Sequence, residues 1–174
     1  MLKIELIEFI DTKENYILMH KWCSNKFVYE WFEQRILSYD EIVTKYKTKL
    51  KDNKQKLYLV KYDNKPIGFI QIYKYNDMIY NYLKKYTNIY EYDIFIGEEN
   101  YLSKGFGTKI ITSVNNLIYN KYLADCIILR PFKRNIRAIK CYQKNNFKLA
   151  DQYDGLDSIG NKEKIVVLIQ DKIL

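Results

Sequence analysis

Polar and apolar residues alternate along Lys3–Phe9, the two-residue period of a half-buried strand. Asp11-Thr12 then offers an N-cap side chain, and helices are expected over about 13–23 and 26–37, carrying Leu18, Trp22, Val28, Trp31 and Phe32. Tyr39-Asp40-Glu41 opens a third, basic helix that runs to about Leu50. Leu57–Tyr62 and Ile67–Tyr73 read as a hairpin around Asp63-Asn64-Lys65-Pro66, because Asn tolerates left-handed geometry and Pro fits a ladder poorly. A tyrosine-rich loop over about 75–89 leads to a strand at Tyr90–Ile96. Beyond it, Ile110, Ile111, Val114, Leu117 and Ile118 recur at helical spacing. Asp125–Leu129 is a short buried strand, and Asn135–Lys144 an amphipathic helix that Asn145-Asn146 can close. Phe147 starts a further strand, and a last one spans about 163–170.

This order predicts an α/β (α+β) fold, a mixed sheet with helices on both faces. No repeat, linker or change of composition divides the chain, so residues 1–174 are expected to form a single domain. The 174 residues and 48% hydrophobic content are enough for one real core.

Composition narrows the function only a little. Lys, Ile, Asn and Tyr are abundant, all with AT-rich codons, so the 18 tyrosines read first as genome bias and second as a tyrosine-lined surface. The formal charge of +8 suits a polyanion, whether nucleic acid, a membrane surface or a phosphate-bearing cofactor. Much of it lies in Lys45, Lys47, Lys49, Lys51, Lys54 and Lys56, which reads as a solvated helix face and turn. No RNA- or DNA-binding signature accompanies it. Cys23, Cys126 and Cys141, an odd number with no CxxC and no nearby histidine, suggest free thiols in a reducing compartment and no metal site. The N-terminal alternation is unlike a secretion signal, and no apolar run reaches membrane-spanning length, so a cytoplasmic location is expected.

The most informative segment is Gly97-Glu98-Glu99-Asn100-Tyr101-Leu102-Ser103-Lys104-Gly105-Phe106-Gly107-Thr108, between a strand and a helix. A helix start has unpaired N–H groups and a dipole that favours negative charge. Glycines let the backbone approach an anion, and Lys104 adds a full charge. The segment lacks the Gly-Lys-Ser/Thr ending of a nucleotide-hydrolysing P-loop. It also lacks the third glycine of a dinucleotide fold, since position 110 is Ile.

One helix and one strand later comes Asn135-Ile136-Arg137-Ala138-Ile139-Lys140-Cys141-Tyr142-Gln143-Lys144-Asn145-Asn146-Phe147. The two motifs at this separation resemble the GNAT superfamily of N-acetyltransferases. That resemblance implies a GNAT-type, mostly antiparallel sheet of six to seven strands flanked by helices, and acetyl-CoA as the acyl donor. It places acetyl-CoA against Ile94, Phe95 and Ile96 of the strand, Lys104, Gly105, Phe106, Gly107 and Thr108 of the turn, and Asn135 and Ala138 of the second helix. The turn begins with Leu102 where the family usually has Gln or Arg, a small departure where backbone groups do the binding. Within the superfamily, Pro66–Tyr73, Asp93–Glu98, Tyr101–Thr108 and Arg137–Phe147 are similar to the aminoglycoside 6'-N-acetyltransferases of antibiotic-resistant bacteria. There, an Asp on the strand before the glycine turn faces the substrate amine, which is Asp93 here.

An ammonium must lose a proton before it attacks a thioester, the oxyanion needs a donor, and the departing thiolate needs a proton. The expected roles are Asp93 as base, directly or through a water, the N–H of Ile94 or Phe95 as oxyanion donor, and Tyr142 as acid. Each has a plainer alternative: Asp93 as a surface carboxylate, Tyr142 as core packing. For a polycationic acceptor, Tyr29, Trp31, Glu98, Glu99, Asp151, Asp154 and Asp157 are candidate contacts beside Asp93. Arg130, before Pro131, stands where the similar enzymes carry an acid. It would either repel a cation or reach the cofactor's phosphates. The expected partner is a small-molecule amine, first an aminoglycoside and then a polyamine, metabolite or protein N-terminus. Nucleic acid and membrane are not expected partners, and the chain is taken as monomer or homodimer. A basic binding module with a degenerate turn and an acetyl-CoA sensor without turnover are the readings from other classes.

Overall fold

The computed structural model describes residues 3–52, 54–77 and 80–172. Seven strands form one sheet: β1 (Ile4–Glu8), β2 (Gln55–Tyr62), β3 (Lys65–Lys74), β4 (Ile89–Ile96), β5 (Cys126–Leu129), β6 (Lys148–Leu156) and β7 (Lys162–Asp171), in the order β1-β2-β3-β4-β5-β7-β6. Every neighbouring pair is antiparallel except β4 and β5, which run parallel. The five helices are α1 (Lys13–Cys23), α2 (Lys26–Phe32), α3 (Tyr39–Asp52), α4 (Phe106–Lys121) and α5 (Ile136–Lys144). The mixed sheet with helices on both faces is the one anticipated from the order of periodicities, and its seven strands in mostly antiparallel order are those the family resemblance implied. Among the described residues no helix is long and apolar enough to cross a membrane.

Alternation along β3 and β4 divides the core in two. Ile70, Ile72 and Tyr92 point to one face, where Ile110, Ile111, Val114 and Ile118 of α4 and Tyr142 of α5 cover them. Phe69 and Phe95 point to the other, under Met19 and Trp22 of α1, Val28 of α2 and Ile42 and Tyr46 of α3. The helical period of those apolar residues and the strand period of the residues they cover thus meet at two buried surfaces.

Several boundaries move for identifiable reasons. α2 stops at Phe32, short of 37, because Gln34 takes a left-handed φ of 54° and its N–H turns back to the Tyr29 carbonyl. In the hairpin, Asp63 and Asn64 alone form the turn (φ 51° and 58°), the two-residue geometry whose twist suits paired strands. Pro66 is inside β3, opposite Lys61, next to the register shift between Val60 and Lys61 where a missing N–H is tolerated. Asp125 precedes β5 and accepts the N–H groups of Thr87 and Asn88, each at 2.9 Å. Within the tyrosine-rich loop, Asn81–Leu83 form a 3-10 turn that buries Leu83, while residues 78 and 79 lie outside the described residues.

The lysine run is not one solvated face. Lys47, Lys51 and Lys54 are exposed, but Lys45 pairs with Glu33 and Lys49 reaches Gln71 of β3. Four-residue spacing puts Lys45 and Lys49 together on the inner side of α3.

Gly97 ends β4 with its N–H on the Ile67 carbonyl at 2.9 Å, and a Cβ there would sit 2.2–2.5 Å from the fully buried Trp22 indole. Gly97→Ala is expected to cost about 1–3 kcal/mol by overpacking, read as a lower urea midpoint.

Candidate active site

The parallel ladder between β4 and β5 ends at Glu91 and Ile128, while β4 continues to Ile96 held by β3 alone. The Ile89 carbonyl and the Gly97 N–H both bond toward β3, and the Asn88 carbonyl bonds toward the other side. Because backbone direction alternates along a strand, odd-numbered residues of β4 address β3. Ile94 and Ile96 therefore turn their N–H and C=O groups into the gap beside β5. Phe95, by the same alternation, does not. Of the two N–H groups expected as oxyanion donors, only that of Ile94 faces the opening.

Two adjoining cavities fill this gap. They share Trp31, Phe32, Ile94, Asn135, Ala138 and Tyr142 as walls. The first extends past Phe95 and Ile96 to Leu102, Ser103, Gly105 and Gly107 at the start of α4. Gly105 is the N-cap, at φ 81°, a left-handed value that favours glycine. No side chain caps this helix, so its first N–H groups remain available. At Gly107 an added Cβ would lie 3.4 Å from Cys141 Sγ of α5, an ordinary contact, so α4 and α5 meet here. An uncapped helix start, an open strand edge and an apolar channel between them fit an extended ligand carrying phosphate at one end and amides along its arm, as acetyl-CoA does.

Asn135 caps α5, its Oδ1 accepting the Ala138 N–H at 3.2 Å, and its side-chain amide NH₂ keeps no partner among the described residues. Tyr142 is 8% exposed on the same helix and packs edge-on against Phe147. Burial first, and then the Asp93 carboxylate, push its hydroxyl above the ordinary tyrosine range. It stays protonated at neutral pH.

The second cavity runs from Asp93 past Leu129, Arg130, Pro131 and Phe132 to Gln34, Leu156, Asp157 and Ser158. Asp93 Oδ2 accepts from Gln71 Nε2 at 2.5 Å and from the Tyr73 hydroxyl at 3.3 Å. Arg130 neither stands free nor reaches the α4 turn. Its guanidinium forks onto Glu91, at 2.9 and 2.7 Å, and lies 5.3 Å from the centre of the Tyr75 ring. Burial of Glu91, 3% exposed, raises its proton affinity, and the guanidinium opposes that. The far rim is bridged: the Ser158 N–H donates to Gln34 Oε1 at 2.9 Å, and its hydroxyl to the Glu33 carbonyl.

The expected residues separate into two groups. Asp93, Ile94, Asn135, Ala138, Tyr142 and Trp31 come together around the shared wall, and Phe95, Ile96, Gly105 and Gly107 line the first cavity. Phe106 packs its ring between Tyr62 and Tyr101, Lys104 is exposed, and the Thr108 carbonyl accepts from Asn145. Tyr29, Glu99, Asp151 and Asp154 line neither cavity, and Asp154 pairs with Lys164. Glu98 is held by Lys21 and Trp22 Nε1, at 2.6 and 2.8 Å, which fixes α1 to the end of β4. Gln71 and Lys49 were not anticipated. The available signal was a polar residue, Gln71, at an inward position of the alternating stretch Ile67–Tyr73.

A sequence profile of the acetyltransferase (GNAT) domain matches residues 11–155, and the chain belongs to that family. It is accordingly an acyltransferase, an N-acetyltransferase dependent on acetyl-CoA. Among curated relatives, an aminoglycoside N(6')-acetyltransferase type 1 from Klebsiella pneumoniae is 23% identical over 142 residues, 79% of this chain and 71% of that protein. A protein of the same description from Serratia marcescens matches equally. Of solved structures, AAC(6')-Ib with ribostamycin and coenzyme A superposes with a TM-score of 0.81 at 20% identity, over 98% of this chain and 94% of that one. Spermidine N-acetyltransferase from Vibrio cholerae, with CoA and spermine, gives 0.79 at 16% identity, over 98% and 96%. At these identities the structural likeness shows the fold.

Removing one member of the Glu91–Arg130 pair leaves the other charge in a dry place. Arg130→Met is expected to lower stability by about 3–5 kcal/mol, read in chemical unfolding, and the Glu91→Met/Arg130→Met double variant to recover much of it.

Proposed function

We propose that the chain acetylates the 6'-amino group of an aminoglycoside by direct transfer, with Asp93 as base and Tyr142 as acid. The observation that carries this reading is the meeting of one carboxylate, one buried hydroxyl and an open β4 edge where the two cavities join. The relatives described as aminoglycoside N(6')-acetyltransferases support the choice of acceptor. So does the shape of the second cavity, walled by Trp31, Phe32 and Phe132, with Asp157 of the late loop at its side. Its Ser158 bridge to Glu33 and Gln34 suits a compact acceptor better than a passing peptide.

When bound, acetyl-CoA supplies an acetyl group activated as a thioester. The α4 start would hold its phosphates through the N–H groups of Phe106, Gly107 and Thr108, with Lys104 adding charge from the rim. Ile94 and Ile96 would pair with the amides of its arm, and the side-chain amide NH₂ of Asn135 is free to join them. The Ile94 N–H would donate to a carbonyl oxygen that gains negative charge. Asp93 Oδ1 would receive the proton of the acceptor ammonium, since Oδ2 is already occupied by Gln71 and Tyr73. The Tyr142 hydroxyl stays protonated and would donate to the sulfur of the departing thiolate.

A second reading, acetylation of a polyamine or another small amine, rests on Arg130. It lines the acceptor cavity and consumes Glu91, so the cavity offers fewer uncommitted carboxylates than a drug with several ammonium groups would engage.

Thiol release should be followed with kanamycin, tobramycin, spermidine and a short peptide as acceptors. The proposal expects turnover with both drugs, and a loss of roughly 10²–10⁴-fold in kcat/KM for Asp93→Asn at unchanged CoA affinity. Turnover confined to spermidine would select the second reading, and turnover confined to the peptide would reject both.

A further inference from the structure

Lys49 is an unusual side chain to find beside a base that must receive a proton from a cation. It leaves α3, crosses the inner surface of the second core and ends on Gln71 Oε1, its one hydrogen bond among the described residues. Its ammonium also lies 5.6 Å from the centre of the Tyr46 ring. Burial first, and then repulsion from Lys45, bring its pKa down to about 8. Among the described residues no carboxylate touches it directly, although Lys45 beside it is paired with Glu33. A half-buried cation without a counter-ion in contact carries a desolvation cost, and a Met of similar length would avoid it.

What Lys49 does there follows from the chemistry of its neighbour. An ammonium donates only, so the end of the Gln71 amide that meets it must be the oxygen. The amide's NH₂ end then faces the other way, onto Asp93 Oδ2 at 2.5 Å. Gln71 itself is buried, 7% exposed on β3 directly opposite Asp93. With Tyr73 also donating to Oδ2, the carboxylate is fixed with Oδ1 left over.

The geometry points to Lys49 as a positioning residue for acyl transfer: it locks the Gln71 amide in the orientation that presents Asp93 Oδ1 to the acceptor amine. This rests on the reading of Asp93 as the base. Without Lys49 the NH₂ end still favours the carboxylate, but nothing anchors the amide's oxygen, so the Gln71 side chain swings more freely and holds Oδ2 less firmly. Among the described residues, the other charged and titratable groups around Asp93 are Glu91 and Arg130, paired with each other, Tyr46, Tyr73, Tyr142, the Lys45–Glu33 pair and Asp157 across the cavity. None of them bonds the Gln71 amide among the described residues.

The test compares wild type with Lys49→Met, Lys49→Arg and Asp93→Asn, using the acceptor that the thiol-release assay identifies. CoA affinity, the thermal midpoint and the pH profile of kcat/KM are measured for each. Lys49→Met is expected to keep CoA affinity and keep or raise the thermal midpoint, since a half-buried charge is gone. Its kcat/KM should fall by about ten- to a hundredfold, and the acid limb should move to higher pH. The direction follows from what is lost: a nearby cation and a firmly held N–H donor both favour the charged carboxylate. Lys49→Arg, which keeps a donor-only cation, should restore most of the activity and return the limb. If Asp93→Asn is inactive but Lys49→Met matches wild type in rate and limb, the positioning role is refuted and the base stands. If Lys49→Met loses activity only in step with a lower thermal midpoint and an unmoved limb, Lys49 is structural and the inference falls. If Asp93→Asn turns over like wild type, the base reading itself fails.

Discussion

Where β4 and β5 run side by side, each satisfies the other's backbone, and the sheet is closed to ligands. After Glu91 and Ile128 that mutual satisfaction ends, while β4 continues for five more residues with only one partner. An N–H or C=O facing away from water without a partner is costly, so an opened strand edge inside a domain asks for another occupant. Here the edge of Ile94 and Ile96 lies between an uncapped helix start on one side and a carboxylate on the other. Most of the site depends on that divergence. β3 holds the far edge of β4 in register, α4 and α5 are in contact at Gly107 and Cys141 beside the channel, and the Ser158 bridge to Glu33 and Gln34 bounds the second cavity.

Charge in the cleft is organised by sheet register as much as by composition. Gln71 and Asp93 are directly opposed on β3 and β4, and so are Tyr73 and Glu91 one step along. One carboxylate is fully used by Arg130, and the other is held on a single oxygen by neutral donors. Two acids two residues apart on one strand therefore have different work: Glu91 anchors the arginine in the cavity wall, and Asp93 keeps one oxygen without a partner among the described residues. The formal charge of +8 says little about this interior. Lys45 and Lys49, counted with it, face inward.

Much of the architecture was legible because periodicity reports burial. The four-residue spacing of α4 and the alternation of β2 and β3 recur in the structure with shifts of one or two residues. Where a boundary moved further, a single residue decided it, as Gln34 did by taking a left-handed conformation at the end of α2. Within the site, Asp93, Asn135 and Tyr142 were found through motif context, since short-range spacing alone does not bring a strand residue beside a helix residue some fifty positions later. The acidic candidates were less legible. Glu98, Asp151 and Asp154 have suitable chemistry, but strand parity and local partners turn them elsewhere, and sequence order does not reveal which of several aspartates a hairpin will aim inward. Lys49 and Gln71 were hidden for the opposite reason. A lysine on an amphipathic helix reads as solvated until the strand beneath it is known to carry a polar side chain.

The account stands or falls on whether acetyl-CoA occupies the edge that the strand divergence exposes. Amide hydrogen exchange, resolved by residue with and without saturating coenzyme A, measures that directly. The account predicts that coenzyme A slows exchange at Ile94 and Ile96 and at Phe106, Gly107 and Thr108, while Phe95, already bonded toward β3, changes little. Protection that left these amides untouched, or that fell instead on the exposed lysines of α3, would contradict it.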